Sequence, residues 1–190
     1  MRRSQRAASA RPAADSRGLF AKRSAGSPRG TGTAMHLVMQ YLELGGPDPE
    51  EQVRRLTDRR LLTPQQAEAV DMERIRAFLA TPLAQEIRQA RQVWREYRFA
   101  LLMPAALYDP AAEGEELMLQ GVVDCAFRTE EGLVVVDFKT DRLAPGEEPQ
   151  RAEEYRPQLE AYAQALERVM EEKVCRKVLY FFSTGATINL

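Results

Sequence analysis

The sequence predicts an α/β protein in which a mixed β-sheet is flanked by helices. Residues 117–140 form two apolar arms around a short polar turn, which is typical of a β-hairpin. Residues 177–182 are an apolar run that follows an amphipathic helical stretch, as in a crossover between parallel strands. Helix-start signals recur upstream of residue 91 and predict a helical N-terminal lead-in.

The lead-in is predicted to contain four helices. Thr33 is the expected N-cap of the first helix. Each later helix opens with a capping residue followed by proline, at Asp48-Pro49, Thr63-Pro64 and Thr81-Pro82. The predicted helices cover residues 33–44, 48–60, 63–79 and 82–91.

The hairpin places three charges among apolar residues. If Glu130 and Glu131 are the two central turn residues, Asp124 lies opposite Asp137 on one face. Lys139 shares that face because side chains repeat every second residue along a strand. Opposed like charges destabilise a sheet, so the two carboxylates require a cation. The residues alone leave two interpretations open: a site for a hard divalent ion with a lysine beside it, or a structural Asp/Lys salt-bridge cluster.

The other elements follow the same reasoning. Residues 94–103 have a strand pattern, and residues 104–116 form an acidic loop. A helix is expected to end near Met170, with its regular part beginning only near Pro157. Residues 186–190 are predicted to add an edge strand.

Composition is that of an ordinary soluble protein, with 44% hydrophobic and 29% charged residues among 190. No apolar run is long enough to cross a membrane and no secretory signal is present, so we expect a cytoplasmic protein. Residues 1–29 carry eight Arg or Lys and one acid, a charge of +7, and are predicted to be a disordered basic tail or linker. The remaining 19 basic and 27 acidic residues give residues 30–190 a charge of −8, which disfavours strong general binding of nucleic acid.

The two cysteines, Cys125 and Cys175, lie in predicted strands and are expected to be small buried thiols. Two cysteines are too few for a four-cysteine cluster. We therefore expect no iron–sulfur cluster.

Gly121 through Asp124, followed by Asp137-Phe-Lys139-Thr, resembles the split motif of the PD-(D/E)xK nuclease superfamily in its RecB-like branch. The stretch that ends Asp-Phe-Lys-Thr-Asp-Arg is most similar to the C-terminal nuclease domain of AddA-type helicase–nuclease subunits. The resemblance covers residues 30–190 and implies one nuclease domain with a restriction-endonuclease-like core.

Several site residues are implied by the resemblance. Gly32 to His36 matches a Gly-x-x-x-His motif whose histidine serves at the metal, although a lone histidine at a helix start more often bonds to backbone. Glu96 stands where relatives have a glutamate before Pro-Phe, but Arg98 replaces the proline. Glu96 is thus either a contributor to the metal site or an exposed strand residue. Gln158 and Tyr162 match a Gln-x-x-x-Tyr motif that contacts the DNA backbone; without the resemblance they are a surface amide and a core aromatic.

The resemblance implies hydrolysis of DNA phosphodiester bonds at a site that binds Mg²⁺ or Mn²⁺. His36, Asp124, Asp137 and the Phe138 carbonyl are the expected ligands, with Lys139 beside the attacking water. The sequence contains no phosphate-binding Gly-x-x-x-x-Gly-Lys-Ser/Thr motif, so we expect a nuclease without its own motor. The implied partners are DNA, a helicase domain outside this chain, and the second, AddB-type member of the complex, acting together in double-strand break repair. The alternative is a catalytically idle nuclease fold that binds DNA or a partner protein.

Overall fold

The computed structural model describes residues 31–107 and 109–190, and the side chains from residue 33 onward. The predicted basic tail, residues 1–29, lies outside the described residues. Five helices precede the sheet: α1 (Thr31–Tyr41), α2 (Pro49–Asp58), α3 (Pro64–Glu68), α4 (Met72–Leu79) and α5 (Pro82–Gln89). The helical lead-in is therefore confirmed.

Capping residues define where these helices start. The side chains of Asp48, Thr63 and Thr81 each accept a backbone hydrogen bond from the first turn of the following helix. Two details of the prediction are wrong. The single helix expected over 63–79 is two helices, because the chain leaves α3 at Ala69 and the Asp71 side chain caps α4. Thr33 lies inside α1 and is not its N-cap, since the helix begins at Thr31.

The sheet has five strands in the order β1-β2-β3-β4-β5. They are β1 (Val93–Pro104), β2 (Glu116–Arg128), β3 (Leu133–Lys139), β4 (Val174–Phe181) and β5 (Ala186–Asn189). Neighbouring strands are antiparallel except β3 and β4, which are parallel. The mixed sheet, the parallel crossover and the edge strand are thus confirmed. Two short 3₁₀ helices, Ala105–Leu107 and Pro110–Ala112, occupy the predicted acidic loop.

The β2–β3 hairpin has the predicted register. Its ladder pairs Cys125 with Val136 and ends at Arg128 opposite Leu133. Thr129 N–H then donates to the Gly132 carbonyl at 2.9 Å, which leaves Glu130 and Glu131 as the central turn residues. Gly132 has a φ of +136°, and a Cβ there would lie 2.5 Å from the Lys173 carbonyl oxygen. Only glycine fits this position without strain.

The long helix α6 (Glu148–Met170) connects β3 to β4 and passes through Pro157. The expectation that its regular part begins near Pro157 is therefore wrong. Proline removes one backbone donor, but the helix buries apolar side chains on both sides of it, including Tyr155, Leu159 and Leu166. Burial of that face stabilises the helix by more than one lost hydrogen bond.

The core lies on both faces of the sheet. On one face α1, α2, α4 and α5 pack against alternate residues of the central strands, with Phe78, Phe138, Tyr180 and Phe182 forming an aromatic cluster. On the other face α6 packs against Phe99, Val123 and Val135. The α/β architecture with flanking helices is thus confirmed. Among the described residues, none of the helices combines the length and apolar character of a membrane span.

The two cysteines differ in environment. Cys125 is fully buried, as predicted, and burial raises the pKa of its thiol to about 11. Cys175 is only partly buried, so the expectation of a buried thiol is wrong there. It lies near the start of β4, where its thiol donates to the Leu133 carbonyl at 3.3 Å.

Candidate active site

The backbone of Phe138 is the centre of the candidate site. The β2–β3 ladder ends at the Cys125–Val136 pair, one residue short of the two predicted acids. Beyond that pair, the Asp124 carboxylate accepts a hydrogen bond from Phe138 N–H at 2.8 Å. A side chain therefore takes the place of the next backbone partner. Asp124 therefore bonds to the backbone of the residue after Asp137, while in the predicted register the two acids lie opposite each other just beyond the last pair of the ladder.

His36 reaches this point from α1. Its Nε2 lies 2.9 Å from the Phe138 carbonyl oxygen and 3.4 Å from Asp124 Oδ2. The imidazole is 30% exposed, so solvent reaches the cluster from this side. Ligands at adjacent corners of an octahedral Mg²⁺ site are separated by about 3 Å, given metal–oxygen distances near 2.1 Å. The distances from His36 Nε2 to the other two atoms thus suit ligands of one ion.

Asp137 and Lys139 form a buried ion pair beside these groups. Lys139 Nζ lies 2.6 Å from Asp137 Oδ2, and the two residues are only 7% and 4% exposed, respectively. Among the described residues, Asp137 Oδ2 has no hydrogen bond of good geometry, although the ammonium is within ion-pair distance. The contact is a short, buried charge pair in which the Lys139 ammonium already occupies this oxygen.

Burial dominates the electrostatics of Asp137. Desolvation raises the pKa of its carboxyl to about 6; the Lys139 ammonium opposes this rise and the nearby Asp124 carboxylate adds to it. The two acids therefore interact electrostatically, as the hairpin pattern predicts. A buried carboxylate next to a second one favours binding of a cation.

Helix α6 covers the other side of Lys139. Lys139 Nζ donates to Gln158 Oε1 at 3.1 Å, and Gln158 Nε2 donates to the Tyr162 hydroxyl at 2.8 Å. Burial, followed by the Asp137 charge, raises the pKa of Tyr162 to about 12, so its hydroxyl stays protonated. The Tyr162 ring packs edge-on against Phe99, with centroids 5.7 Å apart. Gln158 and Tyr162 thus form a hydrogen-bonded chain that ends at Lys139.

Glu96 occupies a strained position next to the same cluster. Its φ is +49°, which is rare for a non-glycine residue in a strand. Strand β1 pairs with β2 on both sides of it, at Arg95–Cys125 and Tyr97–Val123, but not at Glu96 itself. Its side chain is half-buried, and its charge contributes to the raised pKa of Tyr162. The alternative of a freely exposed strand residue does not describe this environment.

The side chains and the carbonyl at this site match only part of what a divalent metal ion requires. Among residues 31–107 and 109–190, no three His, Cys, Asp or Glu side chains are arranged as a metal cluster. The converging donors are two side chains, His36 and Asp124, and one backbone oxygen, with Asp137 held by Lys139. Carboxylate and carbonyl oxygens suit Mg²⁺ or Mn²⁺, and the distances from His36 to Asp124 and to the Phe138 carbonyl are consistent with such an ion.

Sequence reasoning missed three polar residues close to Lys139. The Lys139 ammonium lies 3.6 Å from the centre of the Tyr155 ring. The Tyr155 hydroxyl donates to the buried Asp141, which also accepts from Arg151. Two signals were available: Asp141 follows Lys139 by two residues, and Arg151 precedes Tyr155 by four, one turn of a helix.

Comparison with known proteins identifies the family of this chain. Residues 9–188 match the model of the PD-(D/E)XK nuclease superfamily. The chain is also similar to proteins named as ATP-dependent helicase/nuclease subunits, of the AddA type. The identity is 44% over 163 residues in Acetivibrio thermocellus, 40% over 167 residues in Desulforudis audaxviator and 37% over 172 residues in Bacillus velezensis.

These alignments cover 83–84% of this chain but only 13–14% of each relative. The chain therefore corresponds to a small part of proteins that combine a helicase and a nuclease in their name. The match over nearly the whole length, together with the mixed sheet and the hairpin site, confirms the predicted resemblance. The chain belongs to the PD-(D/E)XK nuclease superfamily.

Proposed function

We propose that this domain is a metal-dependent DNA nuclease that acts as an exonuclease. The observation that carries the proposal is the convergence at Phe138: Asp124 binds its N–H, His36 binds its carbonyl, and the Asp137–Lys139 pair flanks it. These residues come from α1, β2 and β3 and are up to 103 positions apart in the sequence. A purely structural salt bridge would not require the histidine.

The metal would be Mg²⁺ or Mn²⁺, held by His36, Asp124, Asp137 and the Phe138 carbonyl. A divalent ion bound there lowers the pKa of a coordinated water and neutralises charge on the phosphate. The imidazole favours Mn²⁺ slightly in chemical terms, because Mg²⁺ prefers oxygen ligands. The Asp124 hydrogen bond to Phe138 N–H fixes the direction of the neighbouring carbonyl.

Lys139 would supply the second positive charge. Its ammonium is buried, where a fixed cation stabilises charge on a pentavalent phosphate more than it would in water. It would also orient the attacking water. The water oxygen would bond to phosphorus while one P–O ester bond breaks, and the proton lost by the water would pass through solvent to the leaving oxygen, which gives a phosphomonoester and a hydroxyl.

DNA contact would be local. Because residues 30–190 carry a net charge of −8, the general electrostatic attraction of this domain for nucleic acid is expected to be weak. Gln158 and Tyr162 would meet the strand at the site itself, with Glu96 at its edge. Gln158 is half-buried and Tyr162 nearly buried, so the contact would come from the Gln158 amide and the rim of the phenol.

We further propose that the domain works within an AddAB-type assembly for repair of double-strand breaks in the cytoplasm. The support is the helicase/nuclease name of its relatives, of which it matches about one seventh. A helicase outside this chain would deliver DNA, and a second protein of the AddB type would complete the complex. The low intrinsic affinity for DNA expected from the charge is consistent with such delivery.

The decisive experiment incubates the purified chain with linear single- and double-stranded DNA in Mg²⁺, in Mn²⁺ and in EDTA. Wild type should release nucleotides only with metal, and Asp137→Asn or Lys139→Met should release none. Glu131→Gln, an exposed change in the turn of the same hairpin, is the matched control and should retain full activity. Undiminished cleavage by Asp137→Asn would refute the assignment. DNA binding without cleavage by wild type would support the idle module.

A further inference from the structure

Lys139 is surrounded by side chains beyond the proposed metal ligands and DNA contacts. Its ammonium has three close partners: Asp137 at 2.6 Å, Gln158 at 3.1 Å and the face of the Tyr155 ring at 3.6 Å. A lysine side chain has four flexible methylene groups, so its charge is placed only as well as its partners hold it. The ring is the partner that neither a metal nor DNA would engage.

The Tyr155 ring is itself fixed. Its hydroxyl donates to Asp141 Oδ2 at 2.8 Å. Arg151 Nη2 lies 3.0 Å from Asp141 Oδ1 and 3.0 Å from the same hydroxyl, and its guanidinium is 4.8 Å from the ring centre. Asp141 and Tyr155 are both buried. We call Asp141 and Arg151 the clamp. Each of them is hydrogen-bonded to the Tyr155 hydroxyl, and a third hydrogen bond joins Arg151 to Asp141.

The charges around Lys139 explain why an aromatic ring suits the position of Tyr155 better than a carboxylate or an apolar side chain. A second carboxylate at this position would compete with Asp137 for the ammonium and add to the buried negative charge. An apolar side chain would leave one side of a buried cation without a partner, which costs free energy. An aromatic face attracts a desolvated ammonium without carrying a charge. The Asp141 hydrogen bond to the phenol also makes the ring more electron-rich.

We propose that Tyr155 is a positioning residue that holds the Lys139 ammonium in place, and that the Asp141–Arg151 clamp holds the ring. If Asp137 also held a metal ion, its attraction for Lys139 would be shared with that ion. The Tyr155 ring and Gln158 would then still hold the ammonium. The proposal rests on the nuclease function proposed above for its catalytic consequence, but the placement of Lys139 is independent of it.

The test uses a readout that does not depend on activity. Protons above an aromatic face resonate upfield, so ¹³C-edited NMR should show the Lys139 ε-methylene protons upfield of those of other lysines. Tyr155→Leu should abolish this displacement, whereas Tyr155→Phe, which keeps the ring but loses its hydrogen bonds to Asp141 and Arg151, should only reduce it. Asp141→Asn should reduce it, because the ring loses its charged anchor. Ile188→Ala removes apolar contact from the same core cluster without touching Lys139, and should leave the displacement unchanged.

Kinetics then test the consequence. Tyr155→Leu should lower kcat for DNA cleavage about tenfold to thirtyfold, the loss expected from one desolvated cation–π contact, with KM within about twofold. Tyr155→Phe should lose less, and Ile188→Ala should match wild type once both are measured well below their melting temperatures. A mere packing role would predict equal losses for Tyr155→Leu and Ile188→Ala.

An ordinary chemical shift for Lys139 in wild type would overturn the proposal, even if the leucine variant fails to fold. A normal kcat in a folded Tyr155→Leu protein would overturn it as well. The failure of the nuclease function is distinguishable: wild type would then cleave no DNA while Lys139 remained upfield. An active wild type with an ordinary Lys139 shift would instead leave the function standing and remove the role of Tyr155.

Discussion

His36 and Phe138 are 102 residues apart in the sequence, yet the imidazole Nε2 lies 2.9 Å from the Phe138 carbonyl oxygen. The N–H of Phe138 is taken by Asp124 at 2.8 Å. His36 and Asp124 therefore bind the two backbone groups of one residue of β3. The site thus depends on backbone hydrogen bonds as well as on charged side chains. The two contacts come from different elements, α1 and β2, and can therefore be removed one at a time.

Replacing His36 should weaken metal binding more than it weakens the fold. His36→Ala removes a donor that lies 2.9 Å from the Phe138 carbonyl oxygen and 3.4 Å from Asp124 Oδ2, while the side chain is 30% exposed and lies where solvent reaches the site. We expect at least about tenfold weaker Mn²⁺ binding in isothermal titration. His36→Asn, which retains a polar side chain but lacks the imidazole, should also bind Mn²⁺ weakly. Equal affinity in wild type and His36→Ala would remove His36 from the site.

The Gln158 link should matter for cleavage and little for stability. Gln158 joins Lys139 to Tyr162 through hydrogen bonds of 3.1 and 2.8 Å and is half-buried. We expect Gln158→Ala to lower kcat about tenfold, with a loss of unfolding free energy of about 1 kcal/mol. Gln164→Ala changes an exposed amide of the same helix and should affect neither quantity. Equal kcat in the two variants would contradict the link.

Gly121 has room for no side chain. A Cβ there would lie 2.8 Å from Phe99 Cζ and 2.9 Å from Tyr162 Cε1. Gly121→Ala should displace the Phe99–Tyr162 pair and lower the free energy of unfolding by about 1–3 kcal/mol, measured by urea denaturation. It should also lower kcat, because Tyr162 anchors Gln158.

The control for this change is Gly45→Ala, whose Cβ would meet only the flexible Arg88 side chain at 3.4 Å. We expect it to change stability by less than about 0.5 kcal/mol. Combining Gly121→Ala with Phe99→Leu should recover part of the lost stability, because the second change removes one of the two clashes. A double variant less stable than the sum of the single ones would argue against this steric cause.

Cys125 should impose an alkaline limit on stability. Burial raises the pKa of its thiol from 9.0 to about 11 in the folded protein. Below pH 9 the thiol is neutral in both states and its contribution is fully present. As pH rises from 9 towards 11, the unfolded chain releases this proton and the folded protein keeps it, so stability falls. The loss should approach about 2–3 kcal/mol.

Urea denaturation across this pH range measures the effect, with Cys125→Ala as the comparison. The variant should be less stable at pH 8 but should lose less stability on going to pH 11. Thiol labelling gives an independent check: Cys175 should react in the native protein and Cys125 only after unfolding. Parallel pH curves for wild type and variant would contradict the assignment of the alkaline loss to Cys125.

The sequence by itself determined the elements that depend on local chemistry. Capping residues before prolines fixed the starts of α2, α3 and α5. A two-residue turn closed by Gly132 fixed the register of the hairpin, since alternation of side chains allows no slip without exposing the apolar face. The charges in the hairpin also indicated Asp124, Asp137 and Lys139 as site candidates, and the resemblance to the nuclease superfamily added His36. Two features were not predicted. The break between α3 and α4 depends on the Asp71 side chain, which caps α4. The passage of α6 through Pro157 depends on burial of its apolar face in the folded protein.

Only the tertiary structure decided how the predicted residues meet. It placed Asp124 on the backbone of Phe138 and not on Asp137, because the β2–β3 ladder ends at the preceding pair. It also brought Asp141, Arg151 and Tyr155 together beside Lys139. Asp141 lies in the loop between β3 and α6, and Arg151 and Tyr155 lie one turn apart in α6. Contacts of this kind depend on where a helix crosses a sheet. That crossing is set by the packing of apolar faces over the whole domain, which no short stretch of sequence specifies.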